Sequence, residues 1–255
     1  MDKIILICED SIEGVFSAIF EAYAKKCDPE NTSIQIGETV NYELFATYIN
    51  TEADAVRTKK VTKTITKEFG EEIFLSFCRA LASKDKEKGN AVYHVFANGL
   101  KLCNRKKAME NFADIYVNKV FTLSRFTNNE ILHLEGFLRF QELENQVLFA
   151  KIGPNNNILT FLAPHFADRL PNENFIIYDD MRDLCVVHPA GKNWFLMSGE
   201  FLQSEEIGKF SKMEAAYQEL FAFFCNNIAI KERKNLNLQR QMLPLHFQKY
   251  MVEFK

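Results

Sequence analysis

The sequence predicts an α+β protein that is rich in helices, with a small, mainly antiparallel sheet in its carboxyl-terminal part and a smaller α/β part before it. Three observations support this prediction. The 255 residues include only 10 Gly and 6 Pro, which favours long regular elements over loops. Helical spacing of apolar residues dominates as far as residue 137, and short apolar runs separated by turn residues follow. A hydrophobic fraction of 47% with 25% charged residues excludes a disordered chain.

The amino-terminal part is predicted to begin with a strand, Ile4–Cys8, and a helix, Ser11–Lys26. Asp10 and Glu13 supply a capping signal for that helix. Two short runs then have the length of strands, and residues 52–82 have helical spacing; the two runs are Ser33–Ile36 and Leu44–Ile49.

Residues 83–89 alternate in charge and contain no apolar side chain. Such a stretch is typical of a linker or an exposed turn. We therefore predict two domains, residues 1–84 and residues 89–255, the second ending in a basic helical tail.

The second domain is predicted to open with helices and to continue with short strands. The helices are Ala91–Leu102, Ala108–Ser124 and Asn128–Phe137, the last being a third helix or a continuation of the second. The strands are Leu138–Glu142, Val147–Ile152, Phe175–Tyr178, Leu184–His188 and Asn193–Met197. Helices Ile158–Leu170 and Lys212–Ala229 accompany them, and residues 231–255 form short helical pieces around Pro244.

Composition excludes several classes of protein. No run approaches the roughly 18 apolar residues of a membrane-spanning helix, and the amino terminus does not have the form of a signal peptide, so we expect a cytoplasmic protein without a membrane partner. The six cysteines form no C-x-x-C pair, so we expect free thiols, no metal site and no iron–sulfur cluster or other cofactor. The motifs of phosphate loops, dinucleotide turns, nucleophile elbows and zinc helices are absent.

Polar residues stand among large apolar ones at three places in the second domain: residues 133–140, 164–169 and 178–183. His165 has Asp168 and Arg169 three and four residues later, which makes them neighbours on one helix face. Arginine grips phosphate through two hydrogen bonds, and histidine exchanges protons near neutral pH. The candidate catalytic residues are His165, Asp168 and His133, and the candidate binding residues are Arg139, Arg169, Asp179, Arg182, Arg240 and Lys249. Any one of these groups, taken alone, is more typical of a salt-bridged turn or a capped helix.

The near-balanced total of 31 basic and 34 acidic residues hides an uneven distribution. Residues 1–55 hold 11 acids against three lysines. Basic stretches follow: Arg57, Lys59, Lys60, Lys63 and Lys67; Lys101, Arg105, Lys106 and Lys107; and Lys231, Arg233, Lys234, Arg240, Lys249 and Lys255. Such stretches can follow a phosphate backbone, although many are only solvated helix faces.

Four motifs in a fixed order resemble those of a known family. They are residues 136–140 (GFLRF), residues 164–169 (PHFADR), residues 175–179 (FIIYD) with Arg182, and residues 235–250 with Pro244 and Lys249. Over Gly89–Phe254 the chain resembles an uncharacterised bacterial family of probable DNA metabolism proteins. The resemblance implies a partner, a radical S-adenosylmethionine (radical-SAM) protein that modifies or repairs DNA, and the chain is similar to the short form that lacks a uracil-DNA glycosylase domain.

Three functional hypotheses remain open at this point. The first is a DNA repair or modification accessory protein that binds DNA, the radical-SAM partner, or both. The second is a DNA-processing hydrolase, a nuclease or glycosylase-like enzyme, in which His165 is the acid/base, Asp168 orients it, and Arg169 and Arg182 hold phosphate. The third is a structural protein-interaction module.

Overall fold

The computed structural model describes residues 3–37, 42–202, 209–233 and 235–254. The chain divides into two compact units, Met1–Asn128 and Asn129–Lys255, and each has its own hydrophobic core. The boundary predicted at residues 84–89 falls inside the first unit. Lys88 in that stretch is buried, and its Nζ lies 2.5 Å from Asp10 Oδ1 and donates to Ser83 O at 2.6 Å. Lys86 and Glu87 are exposed, so the stretch is an exposed turn whose end at Lys88 is anchored in the first unit, and an alternation of charges in the sequence does not distinguish such a turn from a linker.

The first unit opens with a three-stranded parallel sheet. Its strands β1 (Lys3–Cys8), β2 (Thr32–Ile36) and β3 (Ala46–Asn50) lie in the order β2-β1-β3. Helix α1 (Ile12–Ala24) is capped by Ser11, whose Oγ accepts from Gly14 N at 2.8 Å. The predicted strand–helix opening is confirmed, with the cap one residue later than Asp10.

Three further helices contribute to the core of the first unit: α2 (Ala55–Glu68), α3 (Glu71–Ala82) and α4 (Lys88–Leu100). Residues 52–82, predicted helical throughout, are interrupted at Gly70, which has a φ of 96°. Phe16, Phe69 and Phe77 are among the largest fully buried side chains. The α/β character predicted for the amino-terminal part is therefore confirmed.

Helix α5 (Ile115–Phe137) begins in the first unit and ends in the second. The sequence placed one helix over Ala108–Ser124 and a second helix or a continuation after it, and the structure shows the continuation. Residues 105–107 form a separate short 3-10 helix.

The second unit contains a five-stranded sheet in the order β4-β5-β6-β7-β8. The strands are β4 (Gln141–Glu142), β5 (Leu148–Ile152), β6 (Phe175–Asp179), β7 (Leu184–His188) and β8 (Phe195–Ser198). β5 and β6 are parallel and are connected through α6 (Leu159–Arg169), whereas the other pairings are antiparallel. The prediction of a mainly antiparallel sheet is confirmed. The parallel pairing of β5 with β6 was not part of that prediction.

The carboxyl-terminal helices are α7 (Lys212–Ile228), α8 (Leu236–Met242) and α9 (Leu245–Gln248). Phe247 and Met251 enter the core of the second unit, but α7 buries none of its residues. Within the described ranges, no helix is both long and apolar enough to span a bilayer.

Candidate functional site

Helix α6 carries the central group of predicted site residues. Leu162, Ala163 and Phe166 are buried against the sheet of the second unit. The remaining face of α6 therefore points outward, where Asp168 and Arg169 are exposed and His165 is half-buried.

His165 and Arg169 line an open cavity of about 620 Å³ together with Glu135 and Arg139. The charged group nearest to His165 is Glu135, whose Oε1 lies 3.9 Å from Nδ1. Arg169 makes no ion pair or side-chain hydrogen bond with any residue that the structure describes. The cavity therefore combines one free guanidinium group with a histidine–carboxylate pair.

Arg139 is held in place by the end of the chain. Its Nη2 and Nε lie 2.8 and 3.2 Å from Glu253 Oε1, and its Nη1 donates to the carbonyls of Gly136 and Leu138. The ring of Phe221 lies 5.8 Å from its guanidinium carbon. Arg139 thus links the end of α5 to the carboxyl-terminal segment.

Asp168 does not share this cavity. It lines a different one on the other side of α6, together with His188 and Trp194. The predicted pairing of His165 with Asp168 is therefore not formed, because the exposed positions of α6 divide between two cavities.

Asp179 and Arg182 form a structural ion pair in which the carboxylate is buried and the guanidinium group is partly exposed. Asp179 is fully buried and accepts from Arg182 Nη1 at 2.9 Å and from Met181 N at 2.9 Å. Burial raises the pKa of Asp179, and the bonds from Arg182 and Met181 oppose that rise. Arg182 also donates to Pro154 O and Asn155 O. Both predicted binding residues are thus engaged in holding the loop after β5.

Two residues that sequence reasoning missed hold the loop after β5 and the turn after β6. Glu130 is buried and accepts from the backbone N–H groups of Asn155 and Asn156 at 2.7 and 3.0 Å. Tyr250 Oη donates to Asp180 at 2.8 Å, and burial and this bond raise the pKa of Tyr250. Glu130 stands mid-helix in the sequence, where a glutamate is normally solvated, so no local signal marks it.

The remaining predicted residues are dispersed over the second unit. The ring of His133 packs against Phe137 and Phe247, with centroids 5.7 and 5.8 Å away. Lys249 Nζ lies 4.4 Å from the ring centre of Tyr250. Arg240 and Arg233 line an open groove of about 880 Å³ beside α8. The nine candidates therefore do not form one cleft, and Arg139, His165 and Arg169 are the ones that share a cavity.

Two of the basic stretches meet within the first unit. Arg105 forms an ion pair with Glu68 at the end of α2, the helix that carries Lys59, Lys60 and Lys63. In the third stretch, Lys234 and Lys255 lie outside the described residues. Metal-ligand geometry is absent from the described ranges, in which no three His, Cys, Asp or Glu side chains are grouped to hold an ion.

Comparison with known proteins gives a family but no activity. Residues 86–253 match the family model DUF4130, a domain of unknown function, in close agreement with the extent of the resemblance found in the sequence. No curated protein matches the chain. A solved structure described as a member of the s1p family of ribosomal proteins, DHH domain, shares 11% identity over 74% of each chain with a TM-score of 0.30, a similarity too low to bear on the fold.

Proposed function

This chain belongs to the DUF4130 family of domains of unknown function, and from that premise we propose that it is an accessory protein in DNA repair or modification. In this proposal the protein binds DNA along α6 and docks a radical-SAM enzyme that performs the chemistry. The observation that carries the DNA contact is the free guanidinium group of Arg169 at the mouth of the cavity that it shares with His165. The resemblance to DNA metabolism proteins supports DNA as the ligand.

The charges in the cavity favour Arg169 as the residue that would contact phosphate. Arg139 is neutralised by Glu253, and His165 faces Glu135 at 3.9 Å, so neither offers a full positive charge to a phosphate. Arg169 is exposed and unpaired among the described residues. A guanidinium group in this state can bind a phosphate through two parallel hydrogen bonds.

A salt titration of DNA binding tests the phosphate contact. We expect affinity to fall as salt rises, and Arg169→Ala to weaken binding and to reduce the steepness of that dependence by about one phosphate contact. Lys212→Ala is the matched control, because Lys212 is also exposed and unpaired among the described residues but begins α7. Binding that is insensitive to salt, or equal losses in the two variants, would contradict the proposal.

Helix α7 favours the docking part of the proposal. None of its residues is buried, and it exposes large apolar side chains that include Tyr217, Leu220, Phe223 and Phe224. Exposed apolar surface of this extent is typical of protein–protein contact. The resemblance names the partner, a radical-SAM protein, and the absence of a cysteine cluster in this chain agrees with a division of labour between the two.

A pull-down with the radical-SAM protein tests the docking surface. Phe223→Asp should abolish capture, whereas Phe195→Asp should not, because Phe195 is exposed on β8 and not on α7. Capture that survives Phe223→Asp would remove α7 from the proposal. The hydrolase hypothesis has no such support, since the structure does not form the pair of His165 and Asp168 on which it depends.

A further inference from the structure

The cavity on the Asp168 side of α6 has the composition of a binding site for a flat, polar ring. Its volume is about 410 Å³, within the usual range of about 300–1,000 Å³ for small-ligand pockets. The side chains that could contact a ligand are Asp168, His188, Lys192, Asn193 and Trp194. They combine an aromatic face, a cation, a carboxylate, an amide and an imidazole in one place.

His188 is held in a defined tautomer. The residue is 3% exposed, its ring stacks on Phe175 at a centroid distance of 4.6 Å, and its Nδ1 lies 3.0 Å from Glu173 O. Because a carbonyl oxygen can only accept, Nδ1 must donate, and Nε2 of the neutral ring is then an acceptor. Nε2 has no hydrogen-bond partner among the residues that the structure describes.

The other polar groups of this cavity are also uncommitted. Asp168 and Lys192 are exposed and form no ion pair in the described part of the chain. Trp194 packs one part of its ring against the core of the second unit, and no described aromatic ring stacks on it. The cavity thus presents two acceptors, one cation and an aromatic platform without internal partners.

We propose that this cavity binds one unpaired nucleobase of single-stranded DNA. The base stacks on Trp194, and Lys192 contacts the adjacent phosphate. Asp168 and His188 are acceptors, so they bind a base that carries an exocyclic amine, such as cytosine, better than thymine, which offers a carbonyl oxygen at that position. The inference rests on the proposed DNA binding and deepens it, since Asp168 is adjacent in sequence to Arg169 and both lie on α6.

Trp194 is the single tryptophan of the chain, so its fluorescence reports directly on this cavity. The experiment titrates the protein with end-labelled oligodeoxycytidine and oligothymidine of equal length, and follows both the anisotropy of the label and the quenching of Trp194. We expect binding accompanied by quenching, with tighter binding of oligodeoxycytidine. Asp168→Asn should remove the preference for cytosine, because the amide can donate to the carbonyl of thymine. Trp194→Ala should weaken binding about fivefold or more.

A second titration, with dCMP and dTMP alone, separates this inference from the proposed function. Oligonucleotide binding without quenching of Trp194 would overturn the base pocket and leave DNA binding in place. Quenching by dCMP in a protein that binds no oligonucleotide would support the pocket and overturn the proposed function. Failure of both oligonucleotide and mononucleotide to quench would overturn the pocket, as would equal affinity for the two bases. Asp168→Asn keeps the test independent of folding, because Asp168 is exposed.

Discussion

Asp179 is a carboxyl group that the fold removes from water and that depends on Arg182 for its charged form. Burial raises its pKa, and the bond from Arg182 opposes the rise. A carboxyl group with a raised pKa in the folded state contributes most to stability at low pH and less as pH increases through that pKa. In Arg182→Ala the opposing bond is lost, so the pKa of Asp179 rises further. Ionisation of Asp179 at neutral pH then lowers the free energy of unfolding by more than it does in the unchanged protein.

We therefore predict that Arg182→Ala lowers the free energy of unfolding by about 3 kcal/mol at neutral pH and by less at about pH 5. Urea unfolding followed by Trp194 fluorescence measures the loss in the second unit. Arg169→Ala is the control, because that arginine is exposed and unpaired among the described residues, and its removal should change stability by less than about 0.5 kcal/mol. A loss that is larger at acid pH would contradict this account.

The exposure of the cysteines predicts which thiol reacts first with a labelling reagent. The cysteines were predicted to be free thiols, and the structure shows that they differ in exposure. Cys103 is exposed, whereas Cys8 and Cys78 are buried, and burial raises the pKa of both to about 12. Because the thiolate is the reactive form, a thiol reagent at pH 8 should modify Cys103 first. Cys103→Ser should remove one thiol from the fast phase, and fast labelling of Cys8 or Cys78 in the native protein would contradict the prediction.

Some contacts of the candidate residues could be predicted from the sequence, and others could not. Spacing along a helix predicted that His165 and Arg169 are neighbours, because four residues make about one turn, and both line one cavity. It could not show that Glu135, thirty positions earlier, would be the carboxylate facing His165, or that Glu253 would neutralise Arg139 across 114 residues. Asp179 and Arg182 look like a solvated hairpin tip in the sequence, and the burial of Asp179 follows from the alternation of β6, which turns this residue inward.

At the scale of elements, the junction of α2 and α3 depends on backbone conformation alone. Gly70 has a φ of 96°, and a Cβ at this position would meet no atom within 4 Å. Gly70→Ala should therefore lower the free energy of unfolding by about 1–3 kcal/mol through conformational strain. Gly136→Ala in α5 is the matched control, because a Cβ there is equally free of contacts and the backbone is helical. It should raise stability by up to about 1 kcal/mol, and far-UV circular dichroism during urea unfolding measures both changes.

The elements themselves were largely predictable, and the exceptions have physical causes. Apolar spacing located β7, α6 and α7 to within two residues, and in α6 the spacing reflects burial of one helix face. Residues 138–140 were expected in a strand, but two residues, Gln141 and Glu142, pair in β4, because strand pairing is a tertiary property that local pattern does not fix. The parallel pairing of β5 with β6 depends likewise on the crossover through α6.

The chain contains two hydrophobic cores that share no residue. Phe77 belongs to the first and Phe175 to the second, and both are fully buried. Truncating either to alanine leaves a cavity that costs about 3–5 kcal/mol. Since each cost falls on a separate core, we predict that the two substitutions act on different unfolding transitions.

Two reporters distinguish those transitions. Labelling of Cys8 and Cys78, identified by mass spectrometry, follows the first unit, and Trp194 fluorescence follows the second. Phe77→Ala should move the labelling transition to lower urea and leave the Trp194 transition nearly unchanged, and Phe175→Ala should do the reverse. Equal shifts of both reporters in both variants would contradict independent unfolding. They would mean that α5, which is helical on both sides of residue 128, couples the two cores into one cooperative unit, because breaking it would cost helix hydrogen bonds in either case.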